Sequence, residues 1–244
     1  DKVDAEEGIT PDSESTTIKV VYNANAEKAE ITYIDDTTGE VIRKDIADGV
    51  FDGLIKFDKD PSEMIAELEK KGYVVVSNNF TSGTKFGDSS KDENVNHFVV
   101  RLTHGYIEVK PGDDIKKDDP IDPDNPDGPK YSIGAEDLNK DINRVIEYVY
   151  ADGSPTGITS VTQTVNFKGT AYIDKVTGQL VNIKDGKIEV DENGNIVQGK
   201  ITWVANDGTT FEEVISPTID GYTPDKDKVD AEEGITPDSE STTI

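Results

Sequence analysis

The sequence predicts a mostly β protein of the α+β class, organised as two small domains along one chain. Three observations support this. Only 33% of the 244 residues are hydrophobic, which is too little apolar material for one large core. Short segments with strand-like alternation recur between Asp-Gly and Asn-Gly turns, a pattern typical of β-hairpins. One stretch, near residues 61–71, carries complete helix signals.

The first domain is predicted over residues 23–112. The helix near 61–71 has Asp60 as N-cap, Pro61 at its first position and Gly72 at its end. Four strands accompany it, two before and two after: Ala29–Ile34, Val41–Lys44, Tyr73–Val76 and Phe98–Leu102. The order strand, strand, helix, strand, strand is that of a β-grasp-like (ubiquitin-like) domain.

A linker and a second domain follow. Residues 111–130 contain five prolines and seven aspartates, which predicts a semi-rigid, extended linker over 113–130. The second domain, over 131–244, is predicted to consist of strands. Arg144–Tyr150 and a long strand from Val161 toward Ile173 come first, and hairpins follow.

An internal repeat is the strongest signal in the sequence. The segment DKVDAEEGITPDSESTTI at residues 1–18 recurs unchanged at 227–244, a period of 227 − 1 = 226 residues. The chain is therefore expected to be a monomeric fragment of an elongated, rod-like tandem array. Residues 1–22 would be the tail or last strand of a preceding repeat, with a short strand at Lys19–Tyr22. The last strand of the second domain would then be truncated.

Composition excludes several classes of function. With 51 acidic and 25 basic residues the net charge is −26, which disfavours nucleic acid and anionic lipid as partners. No apolar run is long enough for direct insertion into a membrane. The absence of cysteine removes disulfides and thiol nucleophiles. A lysine–asparagine isopeptide crosslink stays open, because it depends on buried contacts.

Several segments in a fixed order carry a family likeness: Ile31–Gly39, Leu102–Gly105, PIDPDNPDGPKY at 120–131, Val149–Gly153, Asp174–Gly178 and SPTIDGYTPD at 216–225. Together they resemble the mucus-binding (MUB) repeat of cell-surface adhesins of lactic acid bacteria. The resemblance implies two β-grasp-related domains in a secreted, cell-wall-anchored protein. One departure is most of residues 182–200, which reads as an added hairpin.

The resemblance implies a non-catalytic repeat that binds mucin glycoproteins through multivalency, with no required cofactor. Two alternatives remain. One is an immunoglobulin-binding module that uses strand-edge addition, since some family members bind immunoglobulins. The other is a structural spacer or stalk that holds a distal adhesive tip away from the cell wall.

Histidines and acidic loops are the candidates for site chemistry. His97 and His104 stand seven residues apart around one strand, so they lie on opposite faces and are expected to be structural. The loop with Asp88, Asp92, Glu93 and Asn94 is a hypothetical calcium site, against a default of a solvated acidic loop. Asp191–Asn195 fails as a calcium loop, since Ile196 stands where the motif requires glycine.

Aromatic side chains are the candidates for sugar binding, because the apolar face of a pyranose stacks on an aromatic ring. The exposed-aromatic candidates are Tyr106, Tyr131, Tyr150, Tyr172, Trp203 and Tyr222. Among them Tyr131, Tyr172 and Tyr222 are taken as the ligand-binding candidates. Trp203, the only tryptophan, is expected to be buried.

Overall fold

A mixed four-stranded sheet with one helix forms the first part of the protein, as seen in a computed structural model that describes residues 6–15 and 17–244. Its elements are β1 (Ala26–Asp35), β2 (Val41–Val50), α1 (Pro61–Lys70), β3 (Tyr73–Asn78) and β4 (His97–His104). The strand order is β2-β1-β4-β3. The central strands β1 and β4 are parallel, and the two outer pairs are antiparallel.

Helix α1 forms where its start and stop signals predict it. The Asp60 carboxylate accepts the Ser62 backbone N–H at 2.8 Å, and Pro61 occupies the first turn. Met64 and Leu68, four residues apart on one helix face, enter the core formed by the inward side chains of the sheet. The helix predicted near 61–71 is confirmed.

The chain passes from the first sheet to the second without a linker. After β4 a single residue, Gly105, leads into β5 (Tyr106–Val109), which pairs antiparallel with β7 (Val161–Asp174). Val109 is buried in the core of the second domain. The predicted first-domain limit at residue 112 is therefore corrected to Gly105, because the strand after it belongs to the other sheet.

The second domain is built around the 14-residue strand β7. A short 3₁₀ helix at Ala135–Leu138 precedes β6 (Asn139–Ile146). The remaining strands are β8 (Leu180–Val181), β9 (Ile183–Lys184), β10 (Lys187–Ile188), β11 (Thr202–Ala205), β12 (Thr210–Phe211), β13 (Val214–Ile215), β14 (Lys228–Val229), β15 (Glu232–Glu233) and β16 (Thr242–Thr243). Strands β11-β7-β6-β16 form the main sheet, while β5 and β8 pair with the other end of β7. Strands β9 and β10 form the hairpin predicted within 182–200.

Residues 113–130 do not form the extended linker that their prolines predict. They fold back on themselves, and the Ile121 N–H donates to the Pro129 carbonyl at 2.9 Å. Ile115 and Ile121 pack against the core of the second domain. The prediction is corrected because these isoleucines, spaced among the prolines, give the segment an apolar side to bury.

The N-terminal segment has no strand among its described residues, and positions 1–5 and 16 of the predicted tail lie outside them. Lys19–Tyr22, predicted as a short strand, is exposed and unpaired in the structure. The protein is mostly β with one α-helix. That helix, the only one in the described part of the chain, is neither long nor apolar enough to cross a membrane.

Candidate ligand-binding surfaces

Two turns of the same local design face each other where the domains meet. Asp35–Gly39 begins at the last residue of β1, and Asp174–Gly178 begins at the last residue of β7. In each, the aspartate carboxylate accepts the backbone N–H two residues later at 2.8 Å. It also accepts the hydroxyl of the threonine three residues later, Thr38 at 2.9 Å and Thr177 at 2.8 Å. The shared D-x-x-T-G pattern thus encodes a self-bonded turn that presents one carboxylate.

His104 lies buried between these two carboxylates. Its Nε2 is 2.8 Å from Asp35 Oδ2, and its Nδ1 is 2.8 Å from Asp174 Oδ2. Burial alone would lower the pKa of His104, but hydrogen bonds to both aspartates outweigh burial and raise it to about 9. The Tyr73 ring packs edge-on against the imidazole at 5.2 Å. The charged histidine therefore joins the domains and has the structural role that the sequence predicts.

His97, at the other end of β4, is exposed. The strand pattern separates the two histidines onto opposite faces, as the spacing predicts. The contact of His104 with Asp35 and Asp174 was not predicted from the sequence. The repeated D-x-x-T-G pattern was the available signal for that contact, because it marks two turns of equal geometry.

A patch of two tyrosines lies beside this junction, on strands β5 and β7. The rings of Tyr106 and Tyr172 meet edge to face with centroids 5.8 Å apart, and Tyr106 is 38% exposed. The Tyr172 hydroxyl donates to Glu108 at 3.2 Å, and Lys110 Nζ lies 2.8 Å from the same carboxylate. We call these four residues the junction patch. It offers aromatic faces next to a charged donor and acceptor.

A second pair of tyrosines lies in a groove of about 530 Å³ at the far end of the second domain. Tyr150 and Tyr222 have ring centroids 4.8 Å apart, and Tyr222 is 62% exposed. Residues that line the groove include Ile146–Tyr150, Ser216–Pro217, Ile219, Tyr222–Lys226, Val229 and Ile244. We call this the terminal groove. Its walls are formed by the end of β6 and the loop after it, by residues between Ser216 and Val229, and by Ile244.

The other aromatic candidates are less accessible. Tyr131 is half-buried against the second-domain core, and burial raises the pKa of its hydroxyl. Its backbone N–H is also bonded to Asp119. Trp203 is partly buried, packed against the core cluster around Phe167. The structure thus places Tyr172 and Tyr222 in aromatic pairs that each include one exposed ring, and Tyr131 at the edge of the core.

In the acidic loop after β3, Asp88 and Asp92 accept hydrogen bonds from neighbouring residues of the loop. Asp88 accepts the Ser90 hydroxyl and backbone N–H, and Lys91 Nζ lies 3.3 Å away. Asp92 accepts the Asn94 backbone N–H at 2.9 Å. Within residues 6–15 and 17–244, no three acidic or histidine side chains are placed to hold a metal ion. The calcium hypothesis for Asp88, Asp92, Glu93 and Asn94 stays a prediction without geometric support.

The lysines of the described chain are all at least partly exposed. None therefore has the buried setting that an isopeptide crosslink to asparagine requires. The two domains contact each other through the His104–Asp174 ion pair and the hydrogen bond from the Lys175 N–H to the Gly105 carbonyl.

Family models match both domains. A mucin binding domain model matches residues 27–104, and a Muc B2-like domain model matches residues 133–244. The first match lies within the sheet that ends at His104, and the second spans the sheet organised by β7. A search of curated proteins gives no significant match.

Three solved structures are similar to this chain. The crystal structure of Mub-RV is 26% identical with a TM-score of 0.61, covering 88% of this chain and 94% of its own. A type 2 repeat of the mucus binding protein MUB from Lactobacillus reuteri is 25% identical with a TM-score of 0.49, covering 89% and 96%. The mucin-binding domain of a Streptococcus pneumoniae protein is 29% identical with a TM-score of 0.31, covering 43% and 85%.

Proposed function

This chain belongs to the mucus-binding (MUB) repeat family, and from that premise we propose that it is a non-catalytic adhesion repeat that binds mucin glycoproteins. The observation that carries the proposal is the match of a mucin binding domain model to nearly the whole first domain. The Muc B2-like match to the second domain supports it. We place the repeat on the extracellular surface of a bacterium, anchored to the cell wall as part of a longer protein, with no required cofactor.

The strand order of the first domain supports a β-grasp assignment. Its hairpin, β1 and β2, precedes the helix, and the final strand β4 lies parallel to β1 in the centre of the sheet. We propose that the second domain is a related unit, enlarged by the β9–β10 hairpin.

We propose the junction patch as the mucin contact. A pyranose ring can stack on the exposed face of Tyr106, while Glu108 and Lys110 supply a hydrogen-bond acceptor and donor for its hydroxyls. The patch lies on the paired strands β5 and β7, so its backbone is already ordered before a ligand binds. Because it is small and open, single-site affinity is expected to be weak.

Multivalency compensates for weak single sites. In a tandem array each later contact with the same mucin molecule is intramolecular, so its effective concentration is high. We expect three linked repeats to bind immobilised mucin at least about 100-fold more tightly than one repeat. Equal and negligible binding by one and three repeats would contradict mucin binding and leave the spacer role.

Variants of the junction patch test the location of the site. We expect Tyr106→Ala and Tyr172→Ala each to weaken mucin binding of the three-repeat protein at least about tenfold. Tyr222→Ala is the control, since it removes an exposed tyrosine ring from the terminal groove instead of from the junction patch. Loss of binding only in Tyr222→Ala would move the site to the groove, and unchanged binding in all three would exclude both.

Immunoglobulin binding by strand addition is the second candidate, and the free edge of the first sheet favours it. Strand β3 has one unpaired side and exposes Val74 and Val76. On the opposite edge, β2 carries charged residues that discourage pairing, with Arg43 and Lys44 followed by Asp45. Val76→Lys should abolish immunoglobulin binding and leave mucin binding unchanged. Absence of immunoglobulin binding by the unaltered repeat would reject this candidate.

A further inference from the structure

The repeated 18-residue segment adopts two different states in one molecule. Ile235, in the second copy, is 4% exposed and packs in the core with Phe211. Ile9, its equivalent in the first copy, is 70% exposed. Since the two 18-residue segments are identical, their own sequence does not decide between these states. What differs is whether a sheet is present for the segment to pair with.

One local feature is common to both copies. The Thr10 N–H donates to the Ser13 hydroxyl at 2.9 Å, and the Thr236 N–H donates to Ser239 at 3.0 Å. This turn is encoded by its own residues and forms without a partner. In the second copy β14, β15 and β16 pair with β13, β12 and β6, whereas residues 6–15 and 17–18 of the first copy form no strand. The segment therefore carries a turn that forms by itself, and its strands form when a second domain is there to pair with.

The backbone ladder of the second copy runs to its last residue. Strand β16 is parallel to β6, and the Ile244 N–H donates to the Val145 carbonyl at 2.8 Å. The Glu147 N–H in turn donates to the Ile244 carbonyl at 2.8 Å. A residue after Ile244 would continue along the chain segment that follows β6. That segment, Glu147–Tyr150, lines the terminal groove.

The sequence that follows the first copy is apolar and uncovered. Lys19–Tyr22 follows Ile18, and Val20, Val21 and Tyr22 are all exposed, the last at 91%. With a period of 226 residues, Ile18 corresponds to Ile244, since 18 + 226 = 244. The Lys19–Tyr22 segment of a following repeat then begins at the mouth of the groove. Four extended residues span about 13 Å, and the groove supplies apolar walls in Val149 and Tyr222.

We propose that the terminal groove binds Lys19–Tyr22 of a second copy of this chain. Those residues extend β16 along Glu147–Tyr150, so that Val20, Val21 and Tyr22 cover the groove. Each repeat would complete the second domain of its neighbour, and adjacent repeats would be joined by a shared sheet. The proposal rests on the array period and the groove, and it is independent of whether the junction patch binds mucin.

An extended protein tests the proposal. The full chain is lengthened after Ile244 by a second copy of its own residues 19–25. The matched control extension carries serine at the positions equivalent to Val20, Val21 and Tyr22. We expect the native extension to slow amide hydrogen exchange at Val149 and Tyr150 at least about tenfold relative to the control extension. It should also raise the melting temperature of the second domain.

Equal exchange at Val149 and Tyr150 with both extensions would overturn the proposal. A second variant guards against nonspecific protection by the added residues. Tyr222→Ala in the protein with the native extension should return the exchange rates toward those of the control. Protection that persists in Tyr222→Ala would show that the extension does not occupy the groove. Mucin binding, measured on the same proteins, should be unchanged in every case.

Discussion

The Nδ1 atom of His104 lies 2.8 Å from Oδ2 of Asp174, so the last residue of the first sheet is bonded to a turn of the second. Asp35 holds the other ring nitrogen at the same distance. The intervening Gly105 is also bonded on both sides, its N–H to the Gly72 carbonyl and its carbonyl to the Lys175 N–H. The domain junction is thus a small, fully bonded polar cluster.

This cluster makes stability depend on pH. The folded pKa of His104, about 9, lies above its ordinary value of 6.5. Its contribution is therefore fully present below pH 6.5 and is lost as the pH rises through 9. We expect the free energy of unfolding to fall over this range by at most about 3 kcal/mol. Urea denaturation from pH 6 to pH 10 measures the change.

His104→Gln is the control for this effect, because it keeps a polar side chain and removes the titration. The variant should be less stable than the wild type at pH 6, and its stability should change little between pH 6.5 and 9. Parallel pH profiles for the two proteins would show that other groups cause the dependence. At acidic pH both should weaken as other carboxylates are protonated.

The two junction turns provide a matched pair of glycine substitutions. Gly39 and Gly178 have φ of 79° and 76°, so alanine at either position costs about 1 kcal/mol in backbone strain. A Cβ at Gly39 meets open space, whereas at Gly178 it would overlap the Lys130 carbonyl oxygen. We expect Gly178→Ala to be less stable than Gly39→Ala by about 2 kcal/mol. Thermal or urea denaturation of both variants checks the difference, and equal stabilities would contradict the contact.

The repeated segment provides a second matched pair. Ile235→Ala removes a buried side chain and should cost about 2–4 kcal/mol. Ile9→Ala, in the same local sequence, should change stability by less than about 0.5 kcal/mol. Urea denaturation of both variants, followed by Trp203 fluorescence, measures the second domain. Similar losses in both would show that the first copy is also packed in solution.

A buried arginine connects the repeated segment to the main sheet. The Arg144 guanidinium donates to the Gln163 side chain and to the carbonyls of Asp230 and Glu212, and it lies 5.1 Å from the Phe211 ring centre. Arg144→Met removes the donor to the Gln163 side-chain oxygen and the Asp230 carbonyl, and should cost at least about 2 kcal/mol in urea denaturation.

Arg43→Met is the comparison for Arg144→Met, since Arg43 forms a partly exposed ion pair with Asp45. It should cost less than about 1 kcal/mol. If the two arginine variants lose the same free energy, the buried network around Arg144 contributes little beyond an ordinary surface pair. Retention of Arg144→Lys near wild-type stability would also argue against a role for the forked guanidinium.

Local signals in the sequence predicted local structure. The Asp60 cap, Pro61 and Gly72 located the helix, and Asp185-Gly186 located the turn of the β9–β10 hairpin. Contacts between distant residues were not predictable in this way. The pairing of Tyr106 with Tyr172 depends on the register of β5 against β7, which neither strand specifies alone.

The linker prediction failed for a related reason. The proline and aspartate content of residues 113–130 favours an extended chain when the segment is considered in isolation. The outcome was decided by Ile115 and Ile121, whose burial needs the second-domain core. Similarly, the carboxylate of Asp174 joins the two domains only because the fold places His104, from the other sheet, beside it. These features arise from tertiary packing, which composition and periodicity do not encode.

The parallel pairing of β1 with β4 has a mechanical consequence. Tension along the chain enters the first domain at the start of β1 and leaves it at the end of β4. These strands are neighbours, paired in register from Glu30 with His97 to Asp35 with Leu102. Opposite pulls on them load all their hydrogen bonds in shear at once, so they cannot open one by one. A repeat that holds a cell against flowing mucus would therefore resist extension without any covalent crosslink.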